Sequence, residues 1–374
     1  MSKRAGICLA SGIYPPESGG PAKFTATFSK WVKENSNIPV SVVTLTDGDS
    51  KSEIVDGIQI IKISRNQNLV LRYLKTAIAI RKNSSQKIHI LANGLFLETA
   101  LASLLGGRTY FTKIPGDIVW ERARNSGKTS LDIESFQRSK LPFKYKIFRK
   151  AFSFSLKHSK KVVVPSTQLQ DMALNWGTKP AKIHLIFNSI STSRFEFKPN
   201  ANKKYDVLSV CRLVPWKGLD EVVRVCSQLS LSLAIAGSGP EMENLQKLAN
   251  SLKANVEFLG EVSQAQLPEL YKSSKFFVLN SNFEATSYSL LEARSCGVFA
   301  IANANTGSGE VISHMKDGIL CGQETGMTVF DALKYAIENP NFCNSAISLA
   351  RNVTVNKFEM EINFNKILEL VTYA

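Results

Sequence analysis

Two short stretches in the second half of the chain set charged side chains at spacings that suit work on a phosphorylated substrate. In Cys211-Arg-Leu-Val-Pro-Trp-Lys-Gly218, Arg212 and Lys217 flank what reads as a strand-to-helix turn. Arg offers a planar fork and Lys a point charge, so the pair can converge on one diphosphate. Two solvated surface cations are the other reading. In Phe283-Glu-Ala-Thr-Ser-Tyr-Ser-Leu-Leu-Glu292, Glu284 precedes a helix and Glu292 lies about two turns further on. A carboxylate only accepts hydrogen bonds, so one can meet a sugar hydroxyl while the other grips a ribose diol. Ala285, Thr286 and Ser287 can present N–H groups at the helix N-terminus. The plain alternative is a surface Glu followed by a helix Glu.

Two glycine turns stand beside these. Gly12-Ile-Tyr-Pro-Pro-Glu-Ser-Gly-Gly-Pro21 follows the first strand pattern and opens a helix. Its Gly19 and Gly20 let backbone N–H groups approach an anion closely. Gly237-Ser-Gly239-Pro240 has the same placement later in the chain, where a structural turn serves equally well. Neither is the G-x-G-x-x-G fingerprint, which argues against a dinucleotide dehydrogenase. The six cysteines and the histidines are scattered, without C-x-x-C or H-E-x-x-H, so no metal is expected and the thiols read as unpaired.

These loops need elements to hold them. β-branched runs alternate with helical patterns almost throughout the 374 residues, which argues parallel sheets covered by helices on both faces. Strands are expected at Ile7–Ala10, Val40–Leu45, Ile58–Ile63, Ile88–Leu91, Thr109–Ile114, Lys161–Val164 and His184–Phe187. A second series runs Asp206–Val210, Ser232–Ala236, Val256–Leu259, Phe276–Leu279 and Val298–Ala302. The polar stretch Lys198–Lys204 separates the series as a linker. Two Rossmann-like domains follow, residues 1–197 and 205–355, with a C-terminal helix in 356–374. A composition of 44% hydrophobic and 21% charged residues excludes disorder and low-complexity scaffolds.

Charge is unevenly spread over that frame. Residues 1–195 hold 30 basic and 12 acidic groups, net +18, whereas residues 196–374 hold 16 and 19, net −3. Arg138–Lys161 carries nine cations and no acid, interleaved with Phe143, Tyr145, Phe148, Phe152 and Phe154. Such a segment can lie on an anionic membrane surface, or be one helix with a solvated basic face. Nucleic acid is not expected, because no recognised binding motif accompanies the charge. The basic start and short apolar run Ala5–Ser11 read as a first strand instead of a signal peptide, so the protein is expected to stay inside the cell.

Taken in order, Gly19-Gly20, Arg212…Lys217-Gly218, Gly237-x-Gly239-Pro240 and Glu284-x7-Glu292-Ala-x-x-Cys296-Gly297 resemble family 4 of the retaining glycosyltransferases. Gly307-Ser-Gly-Glu310 and Asp317-Gly318 continue the likeness. The resemblance implies a GT-B fold, two Rossmann-like parallel-sheet domains facing a cleft, with the C-terminal helix packing back on the first. It implies transfer of a sugar from a UDP or GDP sugar to a glycan or lipid-linked acceptor in polysaccharide, lipopolysaccharide or glycolipid synthesis, with retention and without metal or other cofactor. Arg212 and Lys217 would then neutralise the diphosphate and Glu284 would contact the transferred sugar. Glu292, with Gly237, Gly239 and Ala285–Ser287, would hold the nucleotide, and Gly19-Gly20 the phosphates and acceptor. The chain departs from the family pattern at Cys211, Ala285, Ser287 and Phe299. Pro115-Gly-Asp117 stands where a His-Gly is frequent, leaving Asp117 as the candidate sugar contact. A peripheral place on the inner face of the membrane is expected, with Lys144, Lys146, Arg149 and Lys150 as docking cations. The rival readings are a nucleotide-sugar epimerase and a non-catalytic nucleotide-sugar-binding subunit.

Overall fold

In the computed structural model the described residues are 6–198, 202–304 and 307–373. Residues 199–201 of the expected linker, and residues 305 and 306, lie outside them. The chain divides into two compact units, residues 1–186 with 364–374, and residues 187–363.

The first unit holds strands β1 (Gly6–Ser11), β2 (Val40–Thr46), β3 (Lys51–Val55), β4 (Ile58–Ser64), β5 (Ile88–Asn93), β6 (Tyr110–Lys113), β7 (Val162–Val164) and β8 (Ile183–Leu185). They lie in the order β3-β4-β2-β1-β5-β6-β7-β8, all parallel except the β3–β4 pair. β1 is buried along its whole length, as a central parallel strand covered on both faces must be. The β3–β4 hairpin was not expected. It turns on Asp56 and Gly57, both at positive φ, the conformation an Asp-Gly pair favours in a tight hairpin. β3 itself is mostly exposed and carries Lys51 and Glu53 among its five residues, which suits an edge strand and hides it from a search for apolar runs.

The second unit holds β9 (Tyr205–Val210), β10 (Leu233–Ala236), β11 (Val256–Gly260), β12 (Ser274–Leu279), β13 (Phe299–Asn303) and β14 (Ile319–Cys321), in the order β11-β10-β9-β12-β13-β14. Apolar clusters fill both faces of this sheet, one around Val207, Ile235, Val278 and Ile301, the other around Leu208, Phe277, Leu291 and Ala300. Alternate residues of the same strands feed the two clusters.

The unit boundary falls eleven residues before the point the sequence suggested. Residues 187–197 pack with the second unit: Phe187 meets Phe358, Ile190 pairs with Glu359, and Phe195 meets Tyr271. At the other end, the helix Pro340–Phe358 stops at the extended Glu359, and a new helix, Met360–Thr372, begins. From Phe364 the chain belongs to the first unit, where that ring packs edge-on against Phe24, Phe28 and Trp31. His89 Nδ1 donates to the Val371 carbonyl at 2.6 Å.

Candidate functional site

In the second unit the chain runs outward from β9 to β11, then returns to lay β12 on the other side of β9. Loops at the carboxyl ends of two such strands diverge and leave a crevice, the usual ligand position in an open parallel sheet. The loops here are Cys211–Gly218 after β9 and Asn280–Ser287 after β12. They carry the four charged residues singled out above, or lead into the helix that does.

The two loops are tied together. Lys217 Nζ pairs with Glu284 Oε1, both side chains being only about 15% exposed, and Ser281 Oγ donates to the same oxygen at 2.9 Å. The backbone joins as well: Asn282 N–H donates to the Trp216 carbonyl at 2.8 Å, and Asn280 Nδ2 to the Gly218 carbonyl at 3.0 Å. Gly218 sits at φ 58°, and a Cβ there would stand 2.5 Å from the Asn280 carbonyl oxygen, so glycine is required. Lys217 and Glu284 thus meet over the crevice while Arg212 stays exposed. Burial pushes the neighbouring Cys211 thiol up to about 12, so it remains neutral.

Gly237 and Gly239 serve this loop directly. A Cβ on Gly237 would fall 1.9 Å from the Cys211 carbonyl oxygen, and one on Gly239 2.2 Å from that of Leu213. Leu213 N–H donates to the Ser238 carbonyl at 2.8 Å. The glycines therefore let two backbones touch and so hold the Arg212 loop in place. Sequence alone had offered only a ligand or a turn.

Glu292 lies in the helix Tyr288–Ser295 and is 2% exposed, with the Tyr271 hydroxyl donating to its Oε2 at 2.8 Å. Burial holds the Tyr271 phenol well above its ordinary value, and the nearby carboxylate raises it further. Ser287 is the N-cap of this helix, its hydroxyl accepting from the Leu290 N–H, a role that suits a serine there. The Thr286 carbonyl accepts from Asn188 Nδ2 at 2.9 Å. Ala285 lies against Gly307, whose N–H donates to the Glu284 carbonyl at 2.8 Å. Tyr271, Asn188 and Ser281 escaped the sequence reading because each is far from the motif in sequence or an unremarkable loop polar residue. Further into the fold, Arg294 grips Asp317 with both residues fully buried, fixing the Asp317-Gly318 turn to the helix that carries Glu292.

The first unit has its own divergence of loops, after β1 and β5. Gly19, at φ 148°, precedes the helix Gly20–Asn35, whose N-terminus has no side-chain cap and no acid in its first turn. Its N–H groups and dipole favour an anion there. The loop is pinned by Arg65 Nη2, which donates to the Gly12 carbonyl at 2.7 Å and pairs with Glu17, and by Asn93 Nδ2, which donates to the Pro21 carbonyl at 3.1 Å. Lys113, at the end of β6, was not singled out. It is 2% exposed, lies 4.5 Å from the Phe24 ring centroid, and burial lowers its pKa to about 7.

Asp117 is not free to hold a sugar. It is fully buried and caps the helix Ile118–Asn125, its Oδ1 accepting from the N–H groups of Val119 and Trp120 at 2.9 and 3.2 Å. Its Oδ2 accepts from Gln137 Nε2 at 2.7 Å and Arg149 Nη2 at 2.5 Å. Arg149 is correspondingly withdrawn from the set of surface cations. Among the described residues no three or more His, Cys, Asp or Glu side chains are grouped so as to hold a metal ion.

Residues 191–353 match the family model of glycosyl transferases group 1. The gpi3 subunit of the phosphatidylinositol N-acetylglucosaminyltransferase of Schizosaccharomyces pombe is 28% identical over 180 residues, covering 45% of this chain and 40% of that protein. The GDP-mannose-dependent alpha-(1-6)-phosphatidylinositol monomannoside mannosyltransferase of Mycobacterium tuberculosis is 28% identical over 177 residues, 41% of this chain and 46% of its own. The chain thus spans less than half the length of either relative. Among solved structures, Anabaena HepE in complex with UDP and glucose superposes with a TM-score of 0.78 at 17% identity, covering 98% of this chain and 99% of that one. The sucrose-phosphate synthase of Thermosynechococcus elongatus gives 0.80 at 16% identity, covering 98% of each. At such identities the likeness establishes the GT-B fold. The similarity to glycosyl transferases group 1 thus runs through the second unit of the chain.

Proposed function

We propose that this protein is a retaining, metal-independent glycosyltransferase that moves a sugar from a UDP or GDP sugar to a glycan or lipid-linked acceptor. The observation that carries the reading is the pairing of Lys217 with Glu284, with Arg212 exposed in the same loop as Lys217, where the strand order reverses in the part of the chain similar to glycosyl transferases group 1. In this reading the bond from the anomeric carbon to the diphosphate oxygen breaks while the acceptor oxygen bonds on the same face. The acceptor's proton passes to the departing diphosphate, whose charge Arg212 and Lys217 stabilise. Glu284 orients Lys217 and accepts from the sugar, and Glu292 holds the ribose. The known ligand of the Anabaena neighbour, UDP, and the GDP-mannose of the mycobacterial relative support a nucleoside diphosphate sugar as donor.

The test is transfer of radiolabel from UDP and GDP sugars to lipid or glycan acceptors. Arg212→Ala and Lys217→Ala should each lower turnover by roughly 10²–10³-fold, as loss of a preorganised charge partner does, while the protein stays folded. Near-wild-type turnover in either variant refutes the assignment. Nucleotide binding without transfer or hydrolysis returns the choice to a non-catalytic binding protein; interconversion of free nucleotide sugars returns it to an epimerase.

With a lipid-linked acceptor the enzyme works at the inner membrane face. Among the described residues no helix is long and apolar enough to cross a membrane. The helix Phe143–His158 instead exposes Phe143 (80%), Ile147 and Phe154, with Lys144, Lys146, Lys150 and Lys157 also exposed. Leu69–Lys82 adds exposed Leu69, Val70, Leu74 and Ile78 on an acid-free helix. Apolar side chains among lysines suit the surface of an anionic bilayer, each cation being worth about 1 kcal/mol there. Sedimentation with liposomes should require anionic lipid, fade with salt, and weaken when Lys144, Lys146 and Lys150 become Gln. Arg149 is left intact because it holds Asp117. Equal binding to neutral vesicles refutes the docking and leaves the transferase reading standing.

A further inference from the structure

Within the protein itself, one of the two cations of the loop after β9 is already matched. Lys217 Nζ pairs with Glu284 Oε1, whereas Arg212 is exposed and forms no ion pair among the described residues. Two cations against one carboxylate leave a single net positive charge. Among the described residues only Lys217 and Ser281 donate to the Glu284 carboxylate, and both meet Oε1. Oε2 is therefore the oxygen open to a further donor.

A carboxylate only accepts hydrogen bonds, so it favours a hydroxyl and opposes a phosphate oxygen. The two nucleotides such a site must tell apart differ in that respect. A nucleotide sugar carries hydroxyls beyond its diphosphate, and its terminal phosphate is esterified. The nucleoside diphosphate left after transfer has no hydroxyl there, and its terminal phosphate ionises again with a pKa of about 6. Near neutral pH the free form is thus the more negative of the two. It must draw Lys217 from Glu284 or lie beside a carboxylate that repels it. With both side chains only about 15% exposed, solvent and salt screen that opposition only in part.

We infer that Glu284 discriminates between the sugar donor and the free nucleoside diphosphate. Its Oε2 accepts from a hydroxyl of the donor, while its charge weakens binding of the released nucleotide and so hastens its departure. The inference rests on the nucleotide-sugar reading of this site and adds to it a reason for a carboxylate beside the diphosphate cations.

The experiment is titration calorimetry on the full chain with UDP, GDP, UDP-glucose and GDP-mannose as probes. It compares the parent with Glu284→Gln, which keeps the shape and an acceptor for Ser281 but removes the charge. The variant should bind UDP or GDP, whichever the parent binds, roughly tenfold more tightly, the lower end of what a hydrogen bond to a charged group contributes. A sugar nucleotide that the parent binds should gain less than about threefold, because the charge-assisted contact to its hydroxyl is lost at the same time. Glu257→Gln removes an exposed, solvent-screened carboxylate of β11 and should change neither affinity. Should Glu284→Gln lower the melting temperature, Glu284→Ala measured below its own transition must show the same tightening for the free nucleotide. The inference is overturned if the parent binds UDP or GDP and neither Glu284 variant binds it more tightly. It is also overturned if a sugar nucleotide gains as much as the free one, or if Glu257→Gln reproduces the gain. A parent that binds none of the four probes overturns the nucleotide-sugar reading itself, and this inference with it.

Discussion

Replacing Arg149 by Met removes the counter-charge of a carboxylate that has no access to water. Asp117 is 0% exposed and the Arg149 side chain 15%. After the change Asp117 would keep the Val119 and Trp120 N–H groups and Gln137 Nε2, but no cation would remain against its Oδ2. Breaking a buried pair from one side costs about 3–5 kcal/mol, and loss of the guanidinium from the Trp176 face adds roughly 0.5–1 kcal/mol. The three surviving hydrogen bonds argue for the lower end, about 3–4 kcal/mol in all. For a unit of this size 1 kcal/mol moves the melting temperature by about 2–4 °C, so a fall of roughly 6–16 °C is expected by circular dichroism. At temperatures where both proteins are folded, turnover should change only a few-fold, because Asp117 supports the helix and does not touch sugar. A loss under about 1 kcal/mol would refute the buried-pair reasoning. Unchanged stability with turnover down by about 10² would put Asp117 back at the substrate.

Other outcomes follow from the same geometry. Glu292→Ala should mainly weaken UDP or GDP binding by calorimetry, whereas Glu284→Ala should mainly lower turnover; equal losses of nucleotide affinity would contradict the division of roles. Gly237→Ala should lower the melting temperature and turnover together, since its Cβ would meet the Cys211 carbonyl at 1.9 Å and displace the Arg212 loop. EDTA treatment should leave initial rates intact; strict dependence on added Mn²⁺ or Mg²⁺ would tell against the mechanism. Lys113→Met should stabilise the protein, most of all at low pH. The lysine's pKa is about 7 in the fold and about 10.4 unfolded, so the unfolded chain binds the extra proton between those values. Its penalty is full below about pH 7 and fades as pH rises toward 10, so the gain from Met measured by urea unfolding should shrink over that window. A gain independent of pH would show that Lys113 is not held neutral by burial.

Most of the architecture was legible because it rests on local periodicity. Central strands such as β1, β9 and β12 are continuous apolar runs that stay apolar wherever they are placed, and the helices between them carry their own spacing. The elements that escaped lack that signature. β14 is three residues long, and the hairpin strand β3 is polar because it lies at an edge. The helices Ile118–Asn125 and Ile133–Arg138 are short and rich in charge. The boundary was misplaced because Lys198–Lys204 looks like a linker by composition, while residues 187–197 look like nothing in particular until Phe187, Ile190 and Phe195 find their partners.

The site divides the same way. The chemical inventory, Arg212, Lys217, Glu284 and Glu292 in strand-following loops, was present in residue type and spacing, since a diphosphate needs cations and a diol needs acceptors whatever surrounds them. Only the tertiary structure decided which of these groups meet. It brought Lys217 to Glu284 across the β9–β12 divergence, spent Gly237 and Gly239 on backbone contact, and set Tyr271 on Glu292. It also took Asp117 and Arg149 out of the functional list by burying them against each other. The physical reason is range. Propensity and periodicity act over a few residues, whereas a hydrogen bond such as that between Tyr271 and Glu292, or an ion pair such as that between Arg149 and Asp117, depends on distances that only the packed chain defines.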